Sequence, residues 1–285
     1  MYSARPQVRT APRIARRSRR RFLVLAPAGA GSAFGRVQVD HECHARFLKQ
    51  AQILRGQVYV QGAFLGPDEL SDGRHHAAGD QQSWHLLLLD SRDNVCGCIR
   101  FRQHRNSIGY AHLTVSHSAI ARCSQWGESL RSGIEEQLAL ARHRELSFVE
   151  IGGWALAESA RGSSEAARMA LATFALSQLI GGAVGIATAR EHCAAPILRK
   201  IGGQSLNSLP PFHEPTYRCT IEILRFYSWD PNPRFEHWID ELKDELQTAT
   251  VVSKALPAAE WMLPGHHPVC APPAATLREA SVGTC

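Results

Sequence analysis

The 285-residue sequence predicts a mixed α/β (α+β) fold in which helices cover a central sheet. Segments with apolar residues at helical spacing take turns along the chain with apolar, strand-length segments, a pattern typical of a sheet packed against helices. Hydrophobic residues make up 44% of the chain and charged residues 20%, which is enough apolar material for a buried core. The sequence contains no apolar run of about 18 residues, so it predicts no membrane-spanning helix.

Five segments are predicted as helices because their apolar residues recur every three or four positions. Asp40 is a candidate N-cap for the first segment. Gly181-Gly182 ends the third segment, and Gly202-Gly203 ends the fourth. In chain order the predicted helices are 40–54, 126–141, 163–179, 196–201 and 234–246.

Seven further segments are predicted as strands or short extended stretches, because they combine strand length with apolar or alternating residues. The loop at 91–94 (SRDN) is typical of a hairpin between two of them, and the segment 66–82 is polar and rich in turn residues. In chain order the predicted strands are 57–65, 83–90, 95–103, 108–115, 147–156, 183–189 and 217–226.

The positive charge of the chain is concentrated at its N-terminus. The net charge is +6, but residues 1–36 contain nine arginines and no acidic residue, which leaves the remainder slightly acidic. A basic arm without a basic folded surface does not favour nucleic-acid binding. We therefore expect a disordered Arg-rich tail over 1–36, one folded domain over 37–247, and a disordered Pro-rich tail over 248–285.

The cysteines and the N-terminus bear on metal binding and location. The eight cysteines include no CxxC pair and no spacing typical of a zinc site, so we expect no metal and a reducing, cytoplasmic environment. The segment 18–24 (SRRRFLV) resembles a twin-arginine export signal, which leaves export as an alternative.

The stretch 148–203 resembles the core of the GNAT acyltransferase superfamily. In that family a strand leads into a turn of the form Arg/Gln-x-x-Gly-x-Gly/Ala, followed by a long helix, a further strand and a short helix. The corresponding turn here is RGSSEA at 161–166, and the short helix ends in KIG at 200–202. The resemblance implies a GNAT-like fold, with a mixed, mostly antiparallel central sheet flanked by helices.

The resemblance also implies where an acyl donor would bind. The start of a helix suits a pyrophosphate or phosphopantetheine phosphate, because its free N–H groups and partial positive charge face the anion. An ordinary serine-capped helix is the structural alternative. In the family, a backbone N–H of the central strand, here near 155–157, stabilises the oxyanion. The residues predicted to bind the donor are Leu156, Ala157, Arg161, Gly162, Ser163 and Ser164.

A second resemblance covers about 46–245 and concerns the acyl-homoserine-lactone (autoinducer) synthases. RGQVY at 55–59 looks like their Arg-x-x-Val-Phe segment, and CGCIR at 96–100 is similar to their Gly-x-x-Arg strand. Glu150 matches the Glu of their later Glu-x-x-Arg motif, whereas Gly153 stands in place of its Arg. The sequence as a whole looks most like the related long-chain N-acyl amino acid synthases, which implies transfer of an acyl chain to an amino group.

Glu150 is the candidate general base, because an amine must lose a proton when it attacks a thioester. Partial burial in a strand is expected to raise its pKa; a structural pair with an arginine is the alternative. Arg100 would orient Glu150, bind the carboxylate of an acceptor, or form a structural ion pair. Candidates for the acceptor or acyl pocket are Arg55, Tyr59, Trp154 and Glu222. A solvated Arg55 at a helix end and a plain edge-strand Glu222 are the structural alternatives, and the residue types alone favour these alternatives.

The resemblances imply an N-acyltransferase that moves a fatty acyl group from acyl carrier protein or acyl-CoA to an amino acid or similar amine. The thioester would be a co-substrate, with no permanently bound cofactor, and acyl carrier protein a possible partner. An acetyl-CoA-dependent N-acetyltransferase of the same fold is the first alternative. The second is a non-catalytic GNAT-fold module that senses or binds acyl ligands, since fold alone does not establish activity.

Overall fold

The computed structural model describes residues 20–28, Phe34 and 36–254. They form a ten-stranded sheet in the order β2-β10-β1-β3-β4-β5-β6-β9-β7, with β8 paired to β9. The strands are β1 (Arg21–Ala26), β2 (Val37–Val39), β3 (Trp84–Leu89), β4 (Val95–His104), β5 (Ser147–Leu156), β6 (Ala183–Arg190), β7 (Gln204–Ser205), β8 (Phe212–Glu214), β9 (Cys219–Tyr227) and β10 (Thr250–Ser253). The helices are α1 (His41–Gln61), α2 (Gly127–His143), α3 (Glu165–Leu179), α4 (Ala194–Ile201) and α5 (Glu236–Thr248).

The sheet is mixed and mostly antiparallel, which confirms the predicted fold class. Only the pairs β1–β10, β10–β2 and β5–β6 are parallel within the described chain. Helices cover both faces. Alternate residues of β3 show this directly: Leu86 and Leu88 pack in the cluster that includes α3, whereas Leu87 and Leu89 pack against α1. Helix α2 lies on the α1 face, and α4 and α5 lie on the α3 face.

Two edges of the predicted domain are wrong. The segment expected to be a disordered tail contains β1, an inner strand between β10 and β3 with Phe22–Ala26 buried. At the other end, β10 lies beyond residue 247 and pairs in parallel with β1. Strand β10 is only four residues long, and the apolar run of β1 directly follows a cluster of arginines. Both strands are stabilised by partners distant in sequence. Residues 1–19 and 255–285 lie outside the described part of the chain.

Strand β1 overlaps the segment that resembles an export signal. Phe22, Leu23 and Val24 of that segment are buried, and each pairs with a residue of β3. Removing this segment by cleavage would therefore take an inner strand out of the sheet. No helix in the described part of the chain has both the length and the apolarity needed to cross a membrane.

Two internal predictions also differ from the structure. Residues 57–61, expected to be extended, continue α1 to Gln61, because Val58 is buried against the sheet and this packing outweighs its β-branched preference. The segment 108–115 forms short 3₁₀ turns rather than a strand. Strand β4 already has β3 and β5 on its two sides, so Leu113 and Val115 are buried beneath α2 instead. The predicted cap is confirmed: the Asp40 side chain accepts a hydrogen bond from the Cys43 N–H at 2.8 Å.

Candidate functional site

The neighbouring strands β5 and β6 separate halfway along their length. Their parallel pairing ends at Ile151 and Ala187, whereas β5 continues to Leu156 along β4. At the separation β5 has a bulge: Gly153 and Trp154 together lie opposite the single residue Ile99, and Gly153 has a φ of 61°. The bulge bends β5 away from β6 and opens a gap in the sheet.

The gap exposes backbone hydrogen-bond donors of β5. The Ala157 N–H donates to the Cys96 carbonyl at 2.9 Å. Because donors alternate in direction along an antiparallel strand, the Leu156 N–H points away from β4 and into the space that β6 has left. An acceptor oxygen placed in the gap would therefore meet this N–H.

Two cavities meet at the gap. The first has a volume of about 340 Å³ and lies between β5, β6 and the loops on the α1 face of the sheet. The second has a volume of about 330 Å³ and lies between the ends of α1 and β5 and the start of α4. Phe64, Trp154 and Arg190 line both cavities, so these three residues mark their junction.

Glu150 lies in the wall of the first cavity, as its candidate role requires. Its carboxylate accepts hydrogen bonds from His104 Nε2 at 3.0 Å, Thr114 Oγ1 at 3.2 Å and the Val115 N–H at 3.0 Å. Since a carboxylate only accepts, His104 carries its proton on Nε2. Burial acts to raise the pKa of Glu150, but these hydrogen bonds outweigh burial and hold it below the ordinary 4.5. The expectation of a raised pKa was wrong.

Arg100 also lines the first cavity, but it does not hold Glu150. Its Nη1 donates to the Ala78 carbonyl at 2.6 Å, and its buried Nε has no hydrogen-bond partner within the described chain. Burial lowers the pKa of the Arg100 guanidinium. The side chain therefore anchors the loop before β3 and adds positive charge to the cavity.

Arg55 is not the solvated helix-end residue that one interpretation expected. It is buried in the middle of α1, where it forms a bidentate pair with Asp80 at 3.0 and 2.5 Å. Burial opposes the charge of both groups, but their contact prevails: the pKa of Arg55 is raised, and that of Asp80 falls to about 2. Arg55 lines neither cavity; it supports the bulge, since a Cβ on Gly153 would lie 2.9 Å from its Nη1.

Tyr59 forms one wall of the first cavity together with two aromatic residues that the sequence did not indicate. Its ring lies 4.8 Å from that of His75 and 5.7 Å from that of Tyr217, and the Tyr217 hydroxyl is 3.3 Å from His75 Nε2. Burial raises the pKa of both tyrosines. Burial lowers the pKa of His75 to about 4, so its imidazole is neutral at neutral pH.

Of the two remaining pocket candidates, Trp154 lies at the cavities and Glu222 does not. Trp154 lines both cavities, and its buried Nε1 has no hydrogen-bond partner within the described residues. Glu222 lines neither cavity and forms an ion pair with Arg199 of α4. The alternation of β9 explains this: Ile221 faces the first cavity, so its neighbour Glu222 points to the opposite face of the sheet.

The turn that precedes α3 borders the second cavity. Leu156 and Arg161 line it, and Arg161 donates to the Leu156 carbonyl at 3.0 Å and to Gln61 Oε1 at 3.2 Å. The helix begins at Glu165, two residues later than predicted, and the Glu165 carboxylate is buried and paired with Arg168 at 3.0 Å. The other predicted donor-binding residues do not line the cavity: Ala157, Gly162, Ser163 and Ser164.

No family model matches this sequence, and no curated protein matches it. Among solved structures, similar ones include "a COA-dependent acyl-homoserine lactone synthase, BjaI, with SAM and isopentyl-CoA", at 16% identity and a TM-score of 0.48, over 84% of this chain and 94% of that one. FeeM, "an N-acyl amino acid synthase from uncultured soil microbes", is 11% identical over 73% and 92% of the two chains, with a TM-score of 0.43. A putative N-acetyltransferase from Lactobacillus plantarum is 12% identical over 73% and 97%, with a TM-score of 0.41.

Proposed function

We propose that this protein is an N-acyltransferase that moves a fatty acyl group from a thioester to the amino group of an amino acid or similar amine. The observation that carries the proposal is the meeting of two cavities at the gap between β5 and β6, beside the Leu156 N–H. A two-substrate transfer needs two sites that share a reaction centre, and this gap provides them. Acyl carrier protein or coenzyme A would deliver the thioester.

The second cavity suits the pantetheine arm of the donor. It is bounded by the end of β5, and Arg161 adds positive charge to its wall. Helix α3 begins nearby at Glu165, whose carboxylate is already paired with Arg168. With the thioester carbonyl at the junction, its oxygen meets the Leu156 N–H, which stabilises the oxyanion as negative charge develops there.

The first cavity would hold the acceptor and the acyl chain. The amine nitrogen attacks the thioester carbon; the new C–N bond forms, the C–S bond breaks, and the products are an amide and a free thiol. The amine loses one proton, and the departing thiolate takes one up. Glu150, ionised and fixed by His104, is the proposed proton acceptor, through a water molecule. The cavity wall also contains Val115, Ile151, Ile186 and Ile221, which favours a chain longer than acetyl.

The test is thiol release from palmitoyl- and acetyl-loaded carrier protein and coenzyme A in the presence of pooled amino acids. We expect release that requires an amine, prefers the palmitoyl donors and falls about 100- to 10,000-fold in Glu150→Gln. Glu135→Gln is the matched control, because Glu135 forms an exposed ion pair with Arg131 on α2.

Three other outcomes would each contradict part of the proposal. Preference for acetyl donors would favour the acetyltransferase alternative. Binding of acyl thioesters without thiol release, in wild type and both variants, would favour the acyl-sensing alternative. Release that is unchanged in Glu150→Gln would exclude Glu150 as the proton acceptor.

A further inference from the structure

We infer that Arg190 binds the α-carboxylate of the acceptor, so that the acceptor is an α-amino acid rather than a simple amine. The inference rests on the proposed function and names the class of its second substrate. Arg190 is the last residue of β6 and lines both cavities, and it is the only charged side chain at their junction within the described chain.

The position of Arg190 matches the shape of an α-amino acid. In such a molecule the carboxylate carbon is only two bonds from the nitrogen that attacks. A group that binds this carboxylate must therefore lie next to the reaction centre, at the junction of donor and acceptor cavities. Phe64 and Trp154, the other junction residues, carry no charge, so Arg190 alone can meet this requirement.

The guanidinium of Arg190 is oriented but has no anionic partner. Its Cζ lies 4.1 Å from the centre of the Phe64 ring, a cation–π contact that fixes the plane of the group while leaving its N–H edges available. No carboxylate within the described residues forms an ion pair with it. A half-buried guanidinium without an anion favours a bidentate contact with a ligand carboxylate.

The other charged groups of the first cavity each have a hydrogen-bond partner in the protein. Arg100 donates to the Ala78 carbonyl, and Glu150 accepts three hydrogen bonds. The carboxylate of Glu214 accepts from the N–H groups of Ala119 and Thr216. Neither Arg100 nor Arg190 forms an ion pair within the described residues, but Arg100 is bound to a loop and does not line the second cavity. Arg190 is therefore the cation of the first cavity that also reaches the junction, where a substrate carboxylate would lie.

The test compares an acid with its uncharged amide. Binding of N-dodecanoylalanine and N-dodecanoylalaninamide is measured by calorimetry, and thiol release is measured with alanine and alaninamide. We expect wild type to bind the acid about 10- to 100-fold more tightly than the amide, and Arg190→Met to bind the two equally. Arg190→Lys should keep only part of the preference, because an ammonium cannot form the bidentate contact.

Arg144→Met is the matched control. Arg144 also lies over an aromatic ring, that of Trp229 at 4.3 Å, but lines neither cavity, so the preference for the acid should be unchanged. Circular dichroism of each variant establishes that it is folded.

Equal binding of acid and amide by wild type, a preference that survives in Arg190→Met, or no binding of either ligand would overturn the inference. An Arg190-dependent preference without thiol release would support the carboxylate site and reject the proposed transfer. Thiol release at equal rates with alanine and alaninamide would support the transfer and reject the carboxylate site.

Discussion

Substitution of Asp80 by Asn is expected to destabilise the protein far more than a single surface change would. The Asp80 carboxylate accepts from Arg55 at 3.0 and 2.5 Å, from Gln52 at 3.1 Å and from the Ala77 N–H at 3.1 Å. Both side chains of the ion pair are at most 4% exposed. Removing the carboxylate leaves a buried guanidinium without its counter-charge, which costs about 3–5 kcal/mol in the free energy of unfolding.

The assay is equilibrium unfolding in urea, which gives the free energy of unfolding of each variant. Asp93→Asn is the matched control: Asp93 pairs with Arg21 at 2.8 Å, but the two side chains are 62% and 50% exposed. Such a surface pair contributes about 0–1 kcal/mol. The double variant Arg55→Met/Asp80→Leu should recover much of the loss, because it removes both charges. A cost for Asp80→Asn no larger than that for Asp93→Asn would refute the reasoning.

The same pair predicts a pH dependence of known sign. The contact with Arg55 lowers the pKa of Asp80 from 3.8 to about 2 against the opposing effect of burial. A carboxyl whose pKa is lower in the folded state stabilises that state fully above its unfolded pKa. Its contribution, about 2 kcal/mol for a difference of this size, disappears as the pH falls from about 4 towards 2. Asp80→Asn should lack this component of acid unfolding.

Three shorter predictions concern the N-terminus, the bulge and the pH profile. Deleting residues 1–36 removes β1 and should abolish cooperative unfolding. Gly153→Ala should lower the free energy of unfolding in urea by about 1–3 kcal/mol, because the residue has a φ of 61° and a Cβ there would lie 2.9 Å from Arg55 Nη1. Gly162→Ala is the matched control and should cost less, because its φ is a similar 67° but no atom lies within 4 Å of the added Cβ. Because the pKa of Glu150 is below 4.5, the fall of kcat/KM at acidic pH, where it occurs above pH 5, should report protonation of the acceptor amine. The midpoint of this fall should therefore change when the acceptor is replaced by an amine of different pKa. A midpoint that is the same for all acceptors and disappears in Glu150→Gln would contradict this.

The sequence predicts best those strands whose apolar pattern is long or strong within a single segment. The predicted strands at 83–90, 95–103 and 147–156 correspond to β3, β4 and β5, because ten-residue or strongly apolar runs leave little choice of structure. Strands β1 and β10 are separated by more than 200 residues and stabilise each other by parallel pairing, so no window of sequence contains both partners. Their assignment requires the tertiary structure.

The residues of the candidate site also differ in how well the sequence predicts them. Glu150 and Arg100 lie on regular strands, where alternation and the family resemblance together locate them, and both line the first cavity. His75, Tyr217 and Arg190 come from a loop, a 3₁₀ turn and a strand end, and nothing in their local sequence distinguishes them from ordinary polar residues. The gap between β5 and β6 brings them together, and a gap is a property of pairing, which no single segment encodes.

Glu150 shows why location is easier to predict than protonation. Its place in an apolar strand predicts burial, and burial alone raises a carboxyl pKa. The pKa of Glu150 is lowered instead, because His104 and Val115 donate hydrogen bonds to the carboxylate. Val115 belongs to a turn that the sequence predicted as a strand. A carboxylate held by these donors stays ionised at neutral pH. In the proposed acyl transfer, such a carboxylate would receive a proton from an amine already acidified by attack on the thioester, rather than remove one beforehand.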